Sequence, residues 1–230
     1  MNGPAAAGIR AVTFDVGGTL IEPWPSVGHL YAEAAQAVLG ERLEPALLNE
    51  RFVAAWRAAH RLPGGFNYTT AEWAGVVRDT FTGLTPMAGE AELFHALWMR
   101  FTEPGAWHVF PDVRPCLETL AASGIRLAVL SNWDERLGPL LERLDLARHF
   151  EVIVVSAEAG THKPSPAIFA HTAQRLGLPP GALLHVGDSE QEDVAGARAC
   201  GWSALLLRRG TGDRAALPSL AGLGGRLGIS

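Results

Sequence analysis

Ala11-Val12-Thr13-Phe14-Asp15-Val16-Gly17-Gly18-Thr19-Leu20 is the stretch on which the reading of this chain turns. The residues from Ala11 to Val16 are short, β-branched or aromatic apart from one acid, which predicts a strand, and Gly17-Gly18 ends it. A carboxylate, Asp15, is thereby placed at a strand end.

Downstream of this strand the apolar period changes twice. From about Ser26 to Phe101 it is helical, with stripes through Leu30, Tyr31, Ala34 and Leu39; Leu48, Phe52 and Trp56; Trp73, Val77 and Phe81; and Leu93, Leu97 and Phe101. Four helices are expected. Thr69 with Glu72 reads as a capping box opening the third, after a break at Pro63-Gly64-Gly65. After Pro111, strands (Arg126–Ser131, Val152–Val155, Leu183–Val186, Ala204–Leu207) alternate with helices (Val113–Ser123, Glu135–Leu146, Pro166–Leu176, Asp193–Cys200). Such alternation predicts an α/β fold, a doubly wound parallel sheet joined by the first strand. The expected division is a core of residues 1–22 and 106–230 with an inserted helical domain at 23–105. The Gly-rich tail, Gly222 to Gly228, lacks the strand-then-helix context of a nucleotide loop and reads as a chain end.

Composition excludes several function classes. The 230 residues carry a net charge of −5, and basic residues are scattered rather than clustered, so a nucleic-acid partner is not expected. There is no signal-peptide pattern at the N-terminus and no uninterrupted apolar run of about 18 residues, so the chain is expected to be cytoplasmic with no membrane partner. Cys116 and Cys200, the two cysteines, lie far apart without metal-ligand spacing and read as reduced structural thiols.

Ligands of a doubly wound sheet bind beyond the carboxyl ends of its strands. Asp15, Ser131 and Asp188 end the first, second and fourth core strands, and Lys163 lies in the loop after the third. An acid, a hydroxyl, a lysine and an acid thus converge on one edge.

On these residues the chain resembles the haloacid dehalogenase superfamily, whose four short motifs look like Phe14-Asp15-Val16-Gly17-Gly18-Thr19-Leu20, Leu130-Ser131-Asn132, Lys163-Pro164-Ser165-Pro166 and Gly187-Asp188-Ser189-Glu190-Gln191-Glu192-Asp193. The helical insert resembles that family's mobile C1 cap. The resemblance implies a Rossmann-like core and a hydrolase acting on a small phosphorylated substrate, as a monomer or homodimer. It makes Asp15 the nucleophile that forms an aspartyl-phosphate, dividing one hard step into two. Mg2+ would be held by Asp15, the Gly17 carbonyl and Asp188, with Asp193 behind them or as a further ligand. Lys163 would offset the charge that develops on phosphorus, and Ser131 with the Asn132 amide would bind phosphoryl oxygens. The Thr19 hydroxyl would fix the loop carrying Asp15.

The chain departs from the family's phosphatases at Gly17, where those enzymes carry a second aspartate as general acid and base. Proton transfer of this kind contributes roughly 10² to 10⁴ in rate. Three readings follow: a phosphatase using Glu22, His29 or Glu190 instead, or a substrate that leaves unaided, such as an acyl or aryl phosphate; carbon–halogen or carbon–phosphorus cleavage; or a silent scaffold that binds metal and phosphate. Asp188 speaks against dehalogenation, and phosphonate cleavage lacks a second lysine, because Lys163 is the chain's only one. Trp24, His29, Asn67, Tyr68 and Trp73 lie where an insert could select substrate, although packing is the favoured role of the aromatics. His185 is expected to be a satisfied core histidine, and His162 is left open. Hinges are expected at Pro23-Trp24-Pro25 and Glu103-Pro104-Gly105.

Overall fold

The computed structural model describes residues 8–61, 65–84, 89–210, 213 and 215–229. Two compact units emerge, one formed by the chain up to Ile21 and from Val109 onward, the other by Glu22–His108. Of the expected break before the third helix, Pro63 and Gly64 lie outside the described residues.

The first unit is built on a parallel sheet of five strands: β1 (Ala11–Phe14), β4 (Arg126–Ser131), β5 (Val152–Val155), β6 (Leu183–Gly187) and β7 (Ser203–Leu206). Their order is β5-β4-β1-β6-β7. The chain therefore reverses its winding at β1, and right-handed crossovers on its two sides send the connecting helices to opposite faces. That explains why all four residues of β1 are buried: a parallel strand covered on both faces has no polar side. Phe14 pairs in register with Val129 and Val186, so Ser131 and Asp188 each stand one residue further along their strands than Asp15 does along its own, at the same edge of the sheet. Beneath them lies an apolar core including Leu130, Val154, Ile168, Phe169 and Trp202.

The connecting helices are α5 (Val113–Ala122), α6 (Leu137–Arg143), the single turn α7 (Ser156–Ala159), α8 (Pro166–Leu176) and α9 (Gly196–Ala199). Residues Glu190–Ala195, read in sequence as loop and helix start, form a wide π-helical turn before α9. Strand β1 stops at Phe14, short of the expected Val16. The Val16 carbonyl turns away from the sheet to accept the amides of Thr19, Leu20 and Ile21 at 3.2, 2.8 and 3.1 Å. The Gly-rich tail is also more ordered than a plain chain end: Leu223 is buried in a short helix, α10 (Leu223–Arg226), just after the buried Leu220 of the preceding turn.

The second unit holds α1 (Val27–Leu39), α2 (Pro45–His60), α3 (Thr70–Phe81) and α4 (Glu90–Arg100). The Ser26 side chain caps α1, and Thr69 with Glu72 forms the capping box expected for α3. The stripes meet around Tyr31, Leu48, Phe81 and Leu97, with Tyr31 stacked on Phe81 at 5.6 Å. A smaller cluster gathers Ala55, Phe66, Tyr68 and Val76, with Trp56 and Trp73 against it. Between units the chain passes through two three-residue strands, β2 (Ile21–Pro23) and β3 (Trp107–Val109), which pair with one another. Segments this short carry no readable period, so the sequence does not announce them.

Candidate active site

Asp15 leaves the sheet at the carboxyl end of β1, its amide making a last ladder bond to the Val186 carbonyl at 2.9 Å. The next residues coil tightly, with the Gly18 amide donating to Ile21 O at 2.9 Å. Gly18 has φ +71°, and a Cβ there would stand 2.5 Å from Asp188 Oδ2. Only glycine lets this turn and the Asp188 carboxylate approach so closely. Gly187 does the same for Asp193, whose carboxyl carbon would lie 2.2 Å from a Cβ at that position.

Lys163 is fully buried and lies between two acids, its Nζ donating to Asp15 Oδ1 at 2.8 Å and to Asp193 Oδ1 at 2.5 Å. Ser131 Oγ donates to the same Asp15 oxygen at 2.9 Å. Lys163 reaches this position because Asn132 grips its backbone from both ends: Oδ1 accepts from Lys163 N at 2.7 Å, and Nδ2 donates to Lys163 O at 3.0 Å. Asn132 Nδ2 also reaches Glu192 Oε2 at 3.1 Å.

Thus Asp15, Ser131, Asn132, Lys163, Asp188 and Asp193 gather in one place. Thr19 differs from expectation: among the described residues its buried hydroxyl has no hydrogen-bond partner, and the loop is held through backbone groups, including Thr19 O, which accepts from Arg209 at 2.7 Å. Gly17 lies beside Trp133, whose ring would be 3.4 Å from a Cβ at Gly17. Of the alternative acids, Glu190 and His29 are exposed, His29 resting on Ser26 Oγ, and Glu22 pairs with His108 at 3.2 Å. His162 turns Nδ1 toward Lys163 O at 2.9 Å. Tyr68 is buried and Trp73 half-buried in the aromatic cluster, whereas Asn67 and Trp24 are exposed.

The sequence reading missed the layer behind the site. His185 is wholly buried, with Nδ1 2.7 Å from Thr13 Oγ1 and Nε2 3.0 Å from Asp193 Oδ1. An ionised carboxylate only accepts, so Nε2 carries a proton, while Nδ1 meets the Thr13 hydroxyl, which also reaches the Leu184 carbonyl at 3.4 Å. His185 is therefore satisfied in the core, as expected, but by a residue of the site. A signal existed: Thr13 and His185 pair in register and stand two residues before Asp15 and Gly187, hence on the same strand faces. Ser156 was also missed. Its Oγ accepts from Trp133 N and donates to Trp133 O, both at 3.0 Å, fixing the loop after Ser131.

The charges do not balance internally. Burial raises the Asp188 acid, and the neighbouring Asp15 and Asp193 anions push it further, to about 7. Burial also raises Glu192. Asp193 goes the other way: burial would raise it, but Lys163 and His185 outweigh that and hold it well below the usual carboxylate range. For Lys163, burial favours the neutral amine, yet Asp15 and Asp193 keep it charged above its ordinary value. One oxygen from each of Asp15, Asp188 and Asp193 lies within 4.8 Å of the others. Three carboxylates against one lysine leave negative charge to compensate, and an all-oxygen donor set suits a hard divalent cation. The residues therefore fit a magnesium-type ion.

The family model for haloacid dehalogenase-like hydrolases matches residues 9–201. The chain belongs to this family of hydrolases. It is 35% identical over 215 residues to haloacid dehalogenase-like hydrolase domain-containing protein 3 of Danio rerio, covering 90% of this chain and 88% of that protein. It is 33% identical over 216 residues to a phosphoglycolate phosphatase of Chromobacterium violaceum, covering 91% and 89%. Among solved structures, a HAD phosphatase from Thermococcus onnurineus superposes with TM-score 0.70 at 25% identity, covering 96% and 99%. A 2-haloacid dehalogenase from Pseudomonas syringae gives 0.65 at 26%, covering 96% and 98%. Among the described residues, no helix is long and apolar enough to cross a membrane.

Proposed function

We propose that this hydrolase is a magnesium-dependent phosphatase of a small phosphorylated metabolite, with Asp15 as nucleophile. The observation that carries the reading is the buried cluster in which Lys163 joins Asp15 and Asp193 beside Asp188. The relatives named as phosphatases support the same class of substrate. A site kept for stability alone would not gather three acids around one lysine, since buried charge costs stability unless a ligand offsets it.

An oxygen of Asp15 attacks phosphorus, and the bond from phosphorus to the leaving oxygen breaks. Water then attacks the aspartyl-phosphate, the bond from phosphorus to Asp15 breaks, and phosphate leaves. Ser131 and Lys163, both donating to Oδ1, fix the rotation of the nucleophilic carboxylate. Lys163 also offsets charge gathering on the phosphoryl oxygens, which Ser131 and the Asn132 amide help to bind. Asp15, the Gly17 carbonyl, Asp188 and Asp193 would hold Mg2+, which would polarise the phosphoryl group. The carboxylates needed for such an ion count against the dehalogenase reading.

Gly17 offers no side chain to protonate a leaving group, so the fitting substrates are those whose leaving oxygen needs none, acyl and aryl phosphates. The helical unit, residues 23–105 in this reading, is a cap that selects substrate, hinged at Pro23-Trp24-Pro25 and Glu103-Pro104-Gly105.

The test is magnesium-dependent phosphate release from aryl, acyl and sugar phosphates by the natural chain, Asp15→Asn and Gly17→Asp. Turnover that disappears in Asp15→Asn is expected, with aryl and acyl phosphates preferred. Gly17→Asp is expected to extend turnover to sugar phosphates; a Cβ there would stand in contact with the Trp133 ring at 3.4 Å. Release only in Gly17→Asp would instead identify an assembled but disarmed binding scaffold.

A further inference from the structure

The turn that carries Asp15 is held from a part of the chain that none of the four motifs includes. Arg209, three residues beyond β7, donates through Nη2 to Thr19 O at 2.7 Å and through Nη1 to Asp112 Oδ2 at 2.9 Å. Its guanidinium carbon lies 3.8 Å from the centroid of the Phe110 ring. Phe110 N in turn donates to Leu20 O at 3.1 Å, and Asp112 Oδ2 also accepts from Leu220 N at 2.7 Å. Arg209 thus touches both passages of chain that leave this unit, the one after Asp15 and the one entering α5, and ties them to the C-terminal segment.

The pair is largely withdrawn from water, with side-chain exposures of 19% for Arg209 and 13% for Asp112. Arg209 Nε and Asp112 Oδ1 are buried without hydrogen-bond partners among the described residues. The two outer nitrogens are therefore committed to the turn and to Asp112. A planar fork can serve two acceptors at fixed angles while its face lies on an aromatic ring; a lysine ammonium cannot. Among the described residues the Thr19 hydroxyl makes no bond, whereas its carbonyl is a point at which a side chain holds the loop.

We propose that Arg209, held by Asp112 and Phe110, is a positioning residue for the nucleophile: it fixes the Val16–Ile21 turn, and so the direction from which the Asp15 carboxylate attacks. A misplacement on the order of 1 Å can cost roughly a hundredfold in rate, and the loss falls on kcat when ground-state binding does not depend on the same contact.

The kinetic arm rests on the phosphatase reading and uses p-nitrophenyl phosphate with magnesium; a second arm, amide hydrogen exchange of Gly18 to Ile21, needs no turnover. Arg209→Lys keeps a charge beside Asp112, and Arg209→Ala removes the group. The expected result is a loss of kcat of roughly tenfold or more in both variants, with KM changed less than about threefold. Exchange should speed up at Gly18 to Ile21 and stay unchanged in β5. Millimolar guanidinium ion should restore part of the kcat of Arg209→Ala and none of that of Arg209→Lys, whose ammonium fills the place.

Should Arg209→Ala fail to fold, Arg209→Lys carries the test alone. Unchanged exchange at Gly18 to Ile21 in a folded variant would overturn the proposal. So would a fall in kcat that merely tracks the folded fraction and does not respond to guanidinium. A natural chain without turnover would sink the phosphatase reading while the exchange result still decided the role of Arg209.

Discussion

The charged cluster at the sheet edge and the aromatic cluster of the helical unit each pack a histidine ring, buried in the first and half-buried in the second, yet they are held together differently. Around Trp56, five ring pairs have centroids between 4.0 and 6.1 Å, and His60 finds its partners inside the cluster, the Trp56 carbonyl at 2.8 Å and the Tyr68 hydroxyl at 3.3 Å. That cluster is built from aromatic rings and carries no ionised side chain. Around Lys163, two carboxylates, Asp15 and Asp193, share one ammonium, and burial together with those two anions pushes the neighbouring Asp188 up to about 7. An apolar aromatic cluster serves stability, whereas a buried one left with uncompensated charge implies a ligand.

Lys163→Met should separate the two most sharply. It leaves Asp15 and Asp193 buried without their cation, and losing one partner of a buried pair costs about 3 to 5 kcal/mol. Urea denaturation should show that loss, and turnover should vanish as well. Stability close to that of the natural chain would mean the cluster is wetter than its burial indicates.

Phe66→Ala tests the other side. Truncating a buried phenylalanine costs about 3 to 5 kcal/mol, so denaturation should show a comparable fall, while kcat of the folded fraction stays within about threefold, since no chemistry passes through the ring. A loss of kcat like that of Asp15→Asn would place the aromatic cluster in the reaction and break the comparison.

The smallest expected effect is the most specific. Asp188 ordinarily titrates near 3.8 and is raised to about 7 in the folded chain. In that window the native state binds more protons than the unfolded state, so without metal the Asp188 contribution to stability is present at the acid end and is lost as pH rises toward 7. Asp193, held low, adds stability that is lost only as pH falls below its ordinary value of 3.8. Magnesium should reverse the Asp188 trend above pH 7, adding about 2.7 kcal/mol at a hundred times its dissociation constant. Thermal denaturation with and without magnesium, repeated on Asp188→Asn, checks both signs; equal stabilisation of the variant would count against Asp188 as a ligand.

Much of the fold was legible because it is written in local periods. The alternation after Pro111, the helical stripes from Ser26 to Phe101 and the Thr69–Glu72 capping box are short-range patterns, and the structure has each of them. The early end of β1 was not legible, because the Val16 carbonyl is claimed by three amides of a turn that forms only when the strand end is in place. Nor were β2 and β3, which have three residues each and exist by pairing across more than eighty positions of chain.

The sequence by itself determined which polar groups reach the carboxyl edge of the sheet, since Asp15, Ser131, Lys163 and Asp188 each follow a strand whose apolar run can be read directly. Only the tertiary structure decided how they are held. Lys163 lies between Asp15 and Asp193, His185 joins Thr13 to Asp193, Asn132 grips Lys163 by its backbone, and Arg209 holds the turn after Asp15 from 190 residues away. The physical reason is one of range: strand and helix periods act over a few residues, whereas a hydrogen bond or ion pair is indifferent to sequence separation and depends on which atoms packing brings within about 3 Å.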